Sequence, residues 1–276
     1  MLRTEVFTSP THELVGIPGT FSPTTSTLIV GQSESVLIDA QFIESDIAAL
    51  GDMIEASGTE LTTIYVTHGH ADHYLGVGRL RERFPGARAI ATRSVVNNIN
   101  ETLERQAKQW AALFGDAAVK ATAVPDTMAG NVIDLEGAEL RVIEVGQADI
   151  YPSTVVHVPE IDLVVAGDVI YNQCHAMLGL TGPDEWQKWL ESVEAVKRLR
   201  PKTIVAGHKK PDASDDDAPA MLINTRSYIS DFAELSQTGE DAHELVAGML
   251  ARYEAFANPW TLEFSAQAWF GRRKAS

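Results

Sequence analysis

The sequence predicts an α/β protein built as an αβ/βα four-layer sandwich, with two central mixed sheets flanked by helices. Two observations predict it. Strand-like segments followed by amphipathic helices occur twice in succession along the chain, and the helices carry their apolar residues along one stripe, so each covers one side of a sheet. No short-period repeat or low-complexity segment competes with this reading.

In the first half, residues 13–17, 26–30 and 35–39 read as strands, the last two joined by the polar turn 31–34. Ile43, Ile47, Leu50 and Ile54 recur at helical spacing and Gly58 lies just past them, which predicts a helix over 43–57. Residues 62–67 form a buried strand. A shorter helix at about 75–84, a strand at 88–92 and a long helix at roughly 94–114 follow. The second half restarts with strands at about 131–135, 139–145, 154–158 and 162–166. A helix over 183–199 comes next, Trp186, Trp189, Val193, Val196 and Leu199 marking its buried face, and then a strand at 203–206. The remainder reads as polar helix, opened by the acidic loop 212–217 and closed by the aromatic tail 260–270. The chain is therefore expected to be one domain over 1–276, with a helical insertion at about 94–127 and a helical extension at about 213–276.

Composition narrows the function. The 276 residues carry 22 Lys plus Arg against 38 Asp plus Glu, a formal charge of −16. Such a surface repels phosphate backbones and anionic lipid, which argues against nucleic acid and membrane as partners. A hydrophobic content of 45% is enough for a sizeable core, and no stretch approaches the roughly 20 apolar residues of a membrane span. Cys174 is the only cysteine, so no intramolecular disulfide can form, and residues 1–19 lack the apolar core of a secretory signal. A reducing, cytoplasmic setting is expected.

One segment carries the chemistry. Thr67-His68-Gly69-His70-Ala71-Asp72-His73 follows a buried strand and precedes a helix. Histidines two apart in an extended loop can point to one side and grip a divalent ion, while Asp72 and His73, on the turn into the helix, face a second. Three imidazoles and a carboxylate in six residues are not expected by chance in a chain with eight histidines.

This segment resembles the HxHxDH motif of the metallo-β-lactamase superfamily, and the similarity extends over about residues 13–210. The resemblance implies the metallo-β-lactamase fold and further ligands from loops after later strands. By position these are Gln147 in Val145-Gly146-Gln147, Asp168 in Ala166-Gly167-Asp168 and His208 in Ala206-Gly207-His208. His68, His70 and Gln147 are then expected to form one site, Asp72, His73 and His208 the other, with Asp168 bridging. Gln147 departs from the pattern, which has histidine there. A carboxamide oxygen is a weaker ligand for zinc, so the residue either ligates weakly, binds substrate or water, or leaves the first site partly filled. His157 is a conceivable replacement, although its mid-strand position favours a structural role.

The implied cofactor is one or two zinc ions, with iron or manganese as alternatives. Bound divalent metal lowers the pKa of water to about 7 and polarises a carbonyl, so the implied reaction is hydrolysis of a small lactone, ester, thioester or amide. Asp72 is the expected proton carrier. Tyr171, three residues past Asp168, is similar in spacing to N-acyl homoserine lactone lactonases of the superfamily, where a tyrosine hydroxyl helps hold the substrate carbonyl; packing is the competing role. His175 and Cys174 on the same loop are candidate pocket residues, Cys174 as an inert small hydrophobe. Trp110 and Phe114 either pack in the core or present an apolar wall to substrate. The 260–270 tail offers a second wall or a homodimer interface. Two other classes remain open: an iron-dependent redox enzyme of the same fold, similar to persulfide dioxygenases, and a non-catalytic binder with an impaired first site.

Overall fold

The computed structural model describes residues 1–120 and 123–275. The first half contains β1 (Arg3–Thr8), β2 (His12–Glu13), β3 (Thr20–Phe21), β4 (Thr25–Val30), β5 (Glu34–Ile38), α1 (Glu44–Ala56), β6 (Glu60–Tyr65), α2 (Ala71–Tyr74), α3 (Val77–Arg83), β7 (Arg88–Ala91), α4 (Arg93–Phe114) and β8 (Asp126–Thr127). The second half contains β9 (Val132–Leu135), β10 (Ala138–Gly146), β11 (Ser153–Val158), β12 (Leu163–Asn172), α5 (Pro183–Arg198), β13 (Thr203–Lys209), α6 (Ala218–Thr238), α7 (Ala242–Arg252) and α8 (Pro259–Ala275).

Six strands form one mixed sheet in the order β1-β4-β5-β6-β7-β8, and five form the other in the order β13-β12-β11-β10-β9. The period of two along each strand builds three cores from them. Leu28, Val30 and Leu37 point to α1, α3 and α4 on the outer face of the first sheet. Ile29, Val36 and Ile38 point the other way, into a core shared with Val156, Val165 and Val205 of the second sheet. Val164 and Ala166 face the helices α5 to α8 on the far side. The result is the predicted four-layer αβ/βα sandwich, with both sheets covered on both faces.

Differences from the sequence reading have local causes. The first long strand is Arg3–Thr8 rather than 13–17: its alternation of polar and apolar residues is weak, and antiparallel pairing with all of β4 is what makes it a strand. The helix expected at about 75–84 is α3, preceded by the single turn α2, and Gly76 between them sits tight against the backbone carbonyls of Ala40 and Gln41. β12 does not end at residue 166 but runs ten residues to Asn172, all buried. The register shift at Gly167, which has φ of +48°, bends the strand and lets it continue. Asp168 therefore projects from inside a strand. Within the segment 94–127, residues 121 and 122 lie outside the described residues.

The two sheets are also latched at one end. Glu136, at the β9–β10 turn, accepts from the backbone N–H groups of Gln32, Ser33 and Glu34 and from the Ser33 hydroxyl. Those backbone donors, Gln32 first, hold its carboxyl down at about 2 against an ordinary 4.5. A carboxylate with a depressed folded value contributes stability above its unfolded value, and that contribution is lost as pH falls through the folded one. The thermal midpoint of wild type should therefore exceed that of Glu136→Gln at neutral pH, the gap closing between about pH 4.5 and 2. A gap that stays constant down to pH 3 would contradict this latch.

Candidate metal centre

The loop after β6 starts as an extended continuation of the strand. His68 pairs with Ser153 in an isolated bridge, and the Thr154 N–H donates to the Thr67 carbonyl, so the second sheet holds the loop from one side. From the other side Gln106 of α4 clamps it: its Nε2 donates to the Gly69 carbonyl and its Oε1 accepts from the Ala71 N–H at 2.8 Å. β12 and β13 deliver Asp168 and His208 to the same place. Gly207 is required between them, because a Cβ there would strike the Asp168 carboxylate and lie 2.7 Å from the Gly167 carbonyl carbon.

Two groups of ligand atoms result. His68, His70, Asp149 and Asp168 form one and Asp72, His73 and His208 the other, the ligand atoms within each lying within 4.8 Å of one another. Asp168 belongs to both by distance. Its carboxylate lies 3.6 Å from His68 Nε2, 3.2 Å from His73 Nε2 and 3.3 Å from His208 Nε2. Asp72 Oδ2 is 3.4 Å from His73 Nε2 and 3.3 Å from His208 Nε2. The atoms His68 Nε2, His73 Nε2, Asp168 Oδ1 and Asp149 Oδ1 are buried and make no hydrogen bond among the described residues. Buried polar atoms left bare in a cluster, each a good ligand type, fit divalent cations.

A second layer orients the imidazoles. Asp39, with φ of +63° at the end of β5, accepts from the Thr67 N–H and hydroxyl and pairs with His73 Nδ1 at 2.9 Å. The Thr67 hydroxyl also lies 2.9 Å from His68 Nδ1. His208 Nδ1 is bound to the Pro23 carbonyl at 3.1 Å. In each case the second ring nitrogen is held by the protein, leaving Nε2 for the centre.

The buried carboxylates and imidazoles of the centre shift one another's proton affinities. Burial alone would push His73 down, but the carboxylates of Asp168, Asp72 and Asp39 hold it well above the ordinary histidine value. His208 is held at about 10 in the same way, by Asp168 and Asp72 against burial. His68 goes the other way, well below its ordinary value, through burial and the charge of His73. Asp72, despite burial, is held at about 2 by His73 and His208, whereas burial raises Asp149 to about 6 against the pull of His70. Bound cations would displace those protons.

Above the donors opens a cavity of about 1110 Å³, lined by His70, Asp72, Asp149, Asp168 and His208 at its floor. Trp110 and Leu113 of α4 form one wall, Trp260 and Phe264 of α8 another, and Tyr171, Gln147 and Tyr151 complete it. Tyr171 donates its hydroxyl to Asp168 Oδ2 at 3.2 Å and stacks on the His208 ring at 5.4 Å. Gln147 lines the cavity, with its Nε2 donating to the Ala148 carbonyl.

The structure thus brings together His68, His70, Asp72, His73, Asp168, Tyr171 and His208 as expected from sequence, with Trp110 in the wall. Phe114 and His175 are not among the lining residues. Phe114 packs on Phe42 and stacks on Trp110 at 5.3 Å. His175 is fully buried, bonded through Nδ1 to the Tyr228 hydroxyl, and burial pushes it down to about 4. The Cys174 thiol, pushed up to about 12 by burial, is inert. His157 lies mid-strand in β11, away from the centre. Sequence reasoning missed Asp149, Asp39 and Gln106. Asp149 was visible as an acid two residues beyond Gln147; nothing local marked the other two.

Residues 19–208 match the family model described as the metallo-beta-lactamase superfamily. No curated protein matches the chain significantly. Among solved structures, a metallo-beta-lactamase family protein from Thermus thermophilus superposes with a TM-score of 0.63 at 17% identity, over 98% of this chain and 94% of that one. The metallo-beta-lactamase FIM-1 from Pseudomonas aeruginosa, solved in a mono-zinc form, gives 0.62 at 16% identity, over 83% and 92% of the two chains. A metallo-beta-lactamase from Pontibacter korlensis gives 0.59 at 19%, over 83% and 99%. At these identities the likeness is one of fold.

Proposed function

The chain belongs to the metallo-beta-lactamase superfamily, and from that premise we propose that it is a metal-dependent hydrolase of a small carbonyl compound, a lactone or ester first. The observation that carries this reading is Asp168, shared by two groups of ligand donors on the floor of a cavity of about 1110 Å³. His68, His70, Asp149 and Asp168 would hold one ion and Asp72, His73, His208 and Asp168 the other, with zinc the leading candidate. Divalent ions in such a setting acidify water and polarise a carbonyl oxygen.

The chain's own residues supply the rest. Tyr171 keeps its proton at neutral pH, because burial and then the charges of Asp168, Asp149 and Asp72 push its phenol well above the ordinary value. Its hydroxyl, which donates to Asp168 Oδ2, would turn from that carboxylate to donate to the oxygen of a bound carbonyl. Asp72 lines the cavity, and its carboxylate, ionised at neutral pH, is placed to accept a proton and return it to the leaving group. Trp110, Trp260 and Phe264 present apolar walls that favour a partly apolar substrate and exclude water around it. No described helix is long and apolar enough to cross a membrane.

A panel of lactones, esters, thioesters and β-lactams, run on metal-loaded protein, tests the proposal. Turnover is expected on at least one lactone or ester. Tyr171→Phe should retain metal and lose about 10- to 100-fold in kcat, the loss of a hydrogen bond that strengthens in the transition state. No turnover on the panel with zinc, manganese or cobalt, or full activity in Asp72→Ala, would refute it.

A further inference from the structure

We infer that Asp149 is itself a metal ligand, taking the role expected of Gln147, so that the centre has two donor-equivalent halves and accepts manganese(II) or iron(II) more readily than an imidazole-rich first site would. This rests on the reading of the cluster as a metal centre.

Several independent observations place Asp149 in this role. Its side chain is 1% exposed, its Oδ2 lies 2.9 Å from His70 Nδ1, and its Oδ1 is buried without a hydrogen bond among the described residues. Its ligand atom falls within 4.8 Å of those of His68, His70 and Asp168. A carboxylate so enclosed is costly to bury unless a cation or a full set of donors faces it; the His70 nitrogen faces it on one side, and the Asp168 carboxyl, a like charge when ionised, on another. Gln147 lines the same cavity, but with its amide nitrogen donating to the Ala148 carbonyl it has only a neutral carboxamide oxygen to offer, a weaker donor than the Asp149 carboxylate. The tight turn from Gln147 to Pro152, closed by the Ala148 N–H donating to the Ile150 carbonyl at 3.0 Å, carries the carboxylate two residues on to the centre.

The consequence is a symmetry of donors. One half offers His68, His70 and Asp149; the other offers His73, His208 and Asp72; Asp168 serves both. Three carboxylates would face two dications, leaving a single positive charge at the centre, against two had the first half kept a neutral donor at this position. Carboxylate oxygen is the harder donor, and the combination of two imidazoles with one carboxylate suits iron(II) and manganese(II), whereas imidazole and thiolate favour zinc. Zinc still binds more tightly in absolute terms, so the effect is read as a ratio.

The full-length protein is stripped of metal, loaded with an equimolar mixture of zinc and manganese, dialysed, and its bound ions counted. Paramagnetic resonance of the manganese-loaded form then reports whether two ions are close enough to couple. Wild type is expected to hold two ions per chain with a coupled manganese signal. Asp149→Ala and the isosteric Asp149→Asn should each hold one and lose the coupling, with the circular dichroism unchanged. Gln147→Ala should still hold two. Asp149→His should shift the bound zinc-to-manganese ratio by about tenfold or more toward zinc. Two ions retained in both Asp149 variants, one ion lost in Gln147→Ala, or an unchanged ratio in Asp149→His overturns the inference. If wild type takes up no divalent ion, the metal-centre reading itself falls.

Discussion

Asp168→Asn is expected to lower kcat/KM on the best substrate by at least about 1,000-fold, a loss on the order of 4 kcal/mol in transition-state stabilisation. The substitution keeps the shape of the side chain and removes its charge. That charge stands 3.2 to 3.6 Å from three imidazoles and accepts the Tyr171 hydroxyl at 3.2 Å, so one change weakens both halves of the centre and releases the phenol from its orientation. Replacing a residue that serves one half, such as His70, leaves the other half complete and should cost less. The carboxylate is held well below its ordinary value, against burial, by His208, His73 and His68. In the metal-free variant His73 and His208 lose the counter-charge that raises them and give up protons more readily, while His68 is already pushed down by burial. Metal content and steady-state kinetics on the same preparation check this; a variant that keeps two ions and a tenth of the activity would show that Asp168 is not the shared donor.

Trp189→Ala is expected to be the most damaging change outside the centre, costing roughly 3 to 5 kcal/mol. The indole is fully buried in the core between the second sheet and its helices, and its Nε1 donates to the Val169 carbonyl at 2.9 Å. Truncation leaves a cavity and an orphan carbonyl in the residue next to Asp168, while the Tyr171 ring, 6.0 Å away, loses a wall. With a urea slope of about 3 kcal/mol/M the unfolding midpoint should fall by roughly 1 to 2 M. Trp189→Phe, which keeps most of the volume, should lose about half as much. An unfolding midpoint within about 0.3 M of wild type would mean the helix layer repacks freely behind β12.

Much of the architecture was legible because the signals were periodic. The stripe Ile43, Ile47, Leu50 and Ile54 predicts α1, and Trp186, Trp189, Val193 and Val196 predict α5, each within a residue or two of the observed ends. The edge strand β1 and the continuation of β12 beyond Ala166 were not legible. The first depends on a partner strand and the second on a glycine bend between two sheets' worth of packing, and neither leaves a periodic trace. In the centre, His68, His70, Asp72 and His73 were readable since they share one short loop, whereas Asp168 and His208 were implied only by the family resemblance that motif carries.

What the sequence determined by itself is the chemistry available: a compact run of imidazole and carboxylate at a strand end, on a chain patterned to cover two sheets with helices. Only the tertiary structure decided which distant side chains complete it. Asp149 enters the first group while the Gln147 amide nitrogen donates to the Ala148 carbonyl, and Asp39 reaches across to hold His73 and Thr67. Gln106 ties α4 to the loop. These choices depend on where turns from different elements deliver their side chains. A shift of two residues along one loop exchanges a neutral donor for a charged one, and that direction is set by backbone geometry and by burial against the rest of the fold.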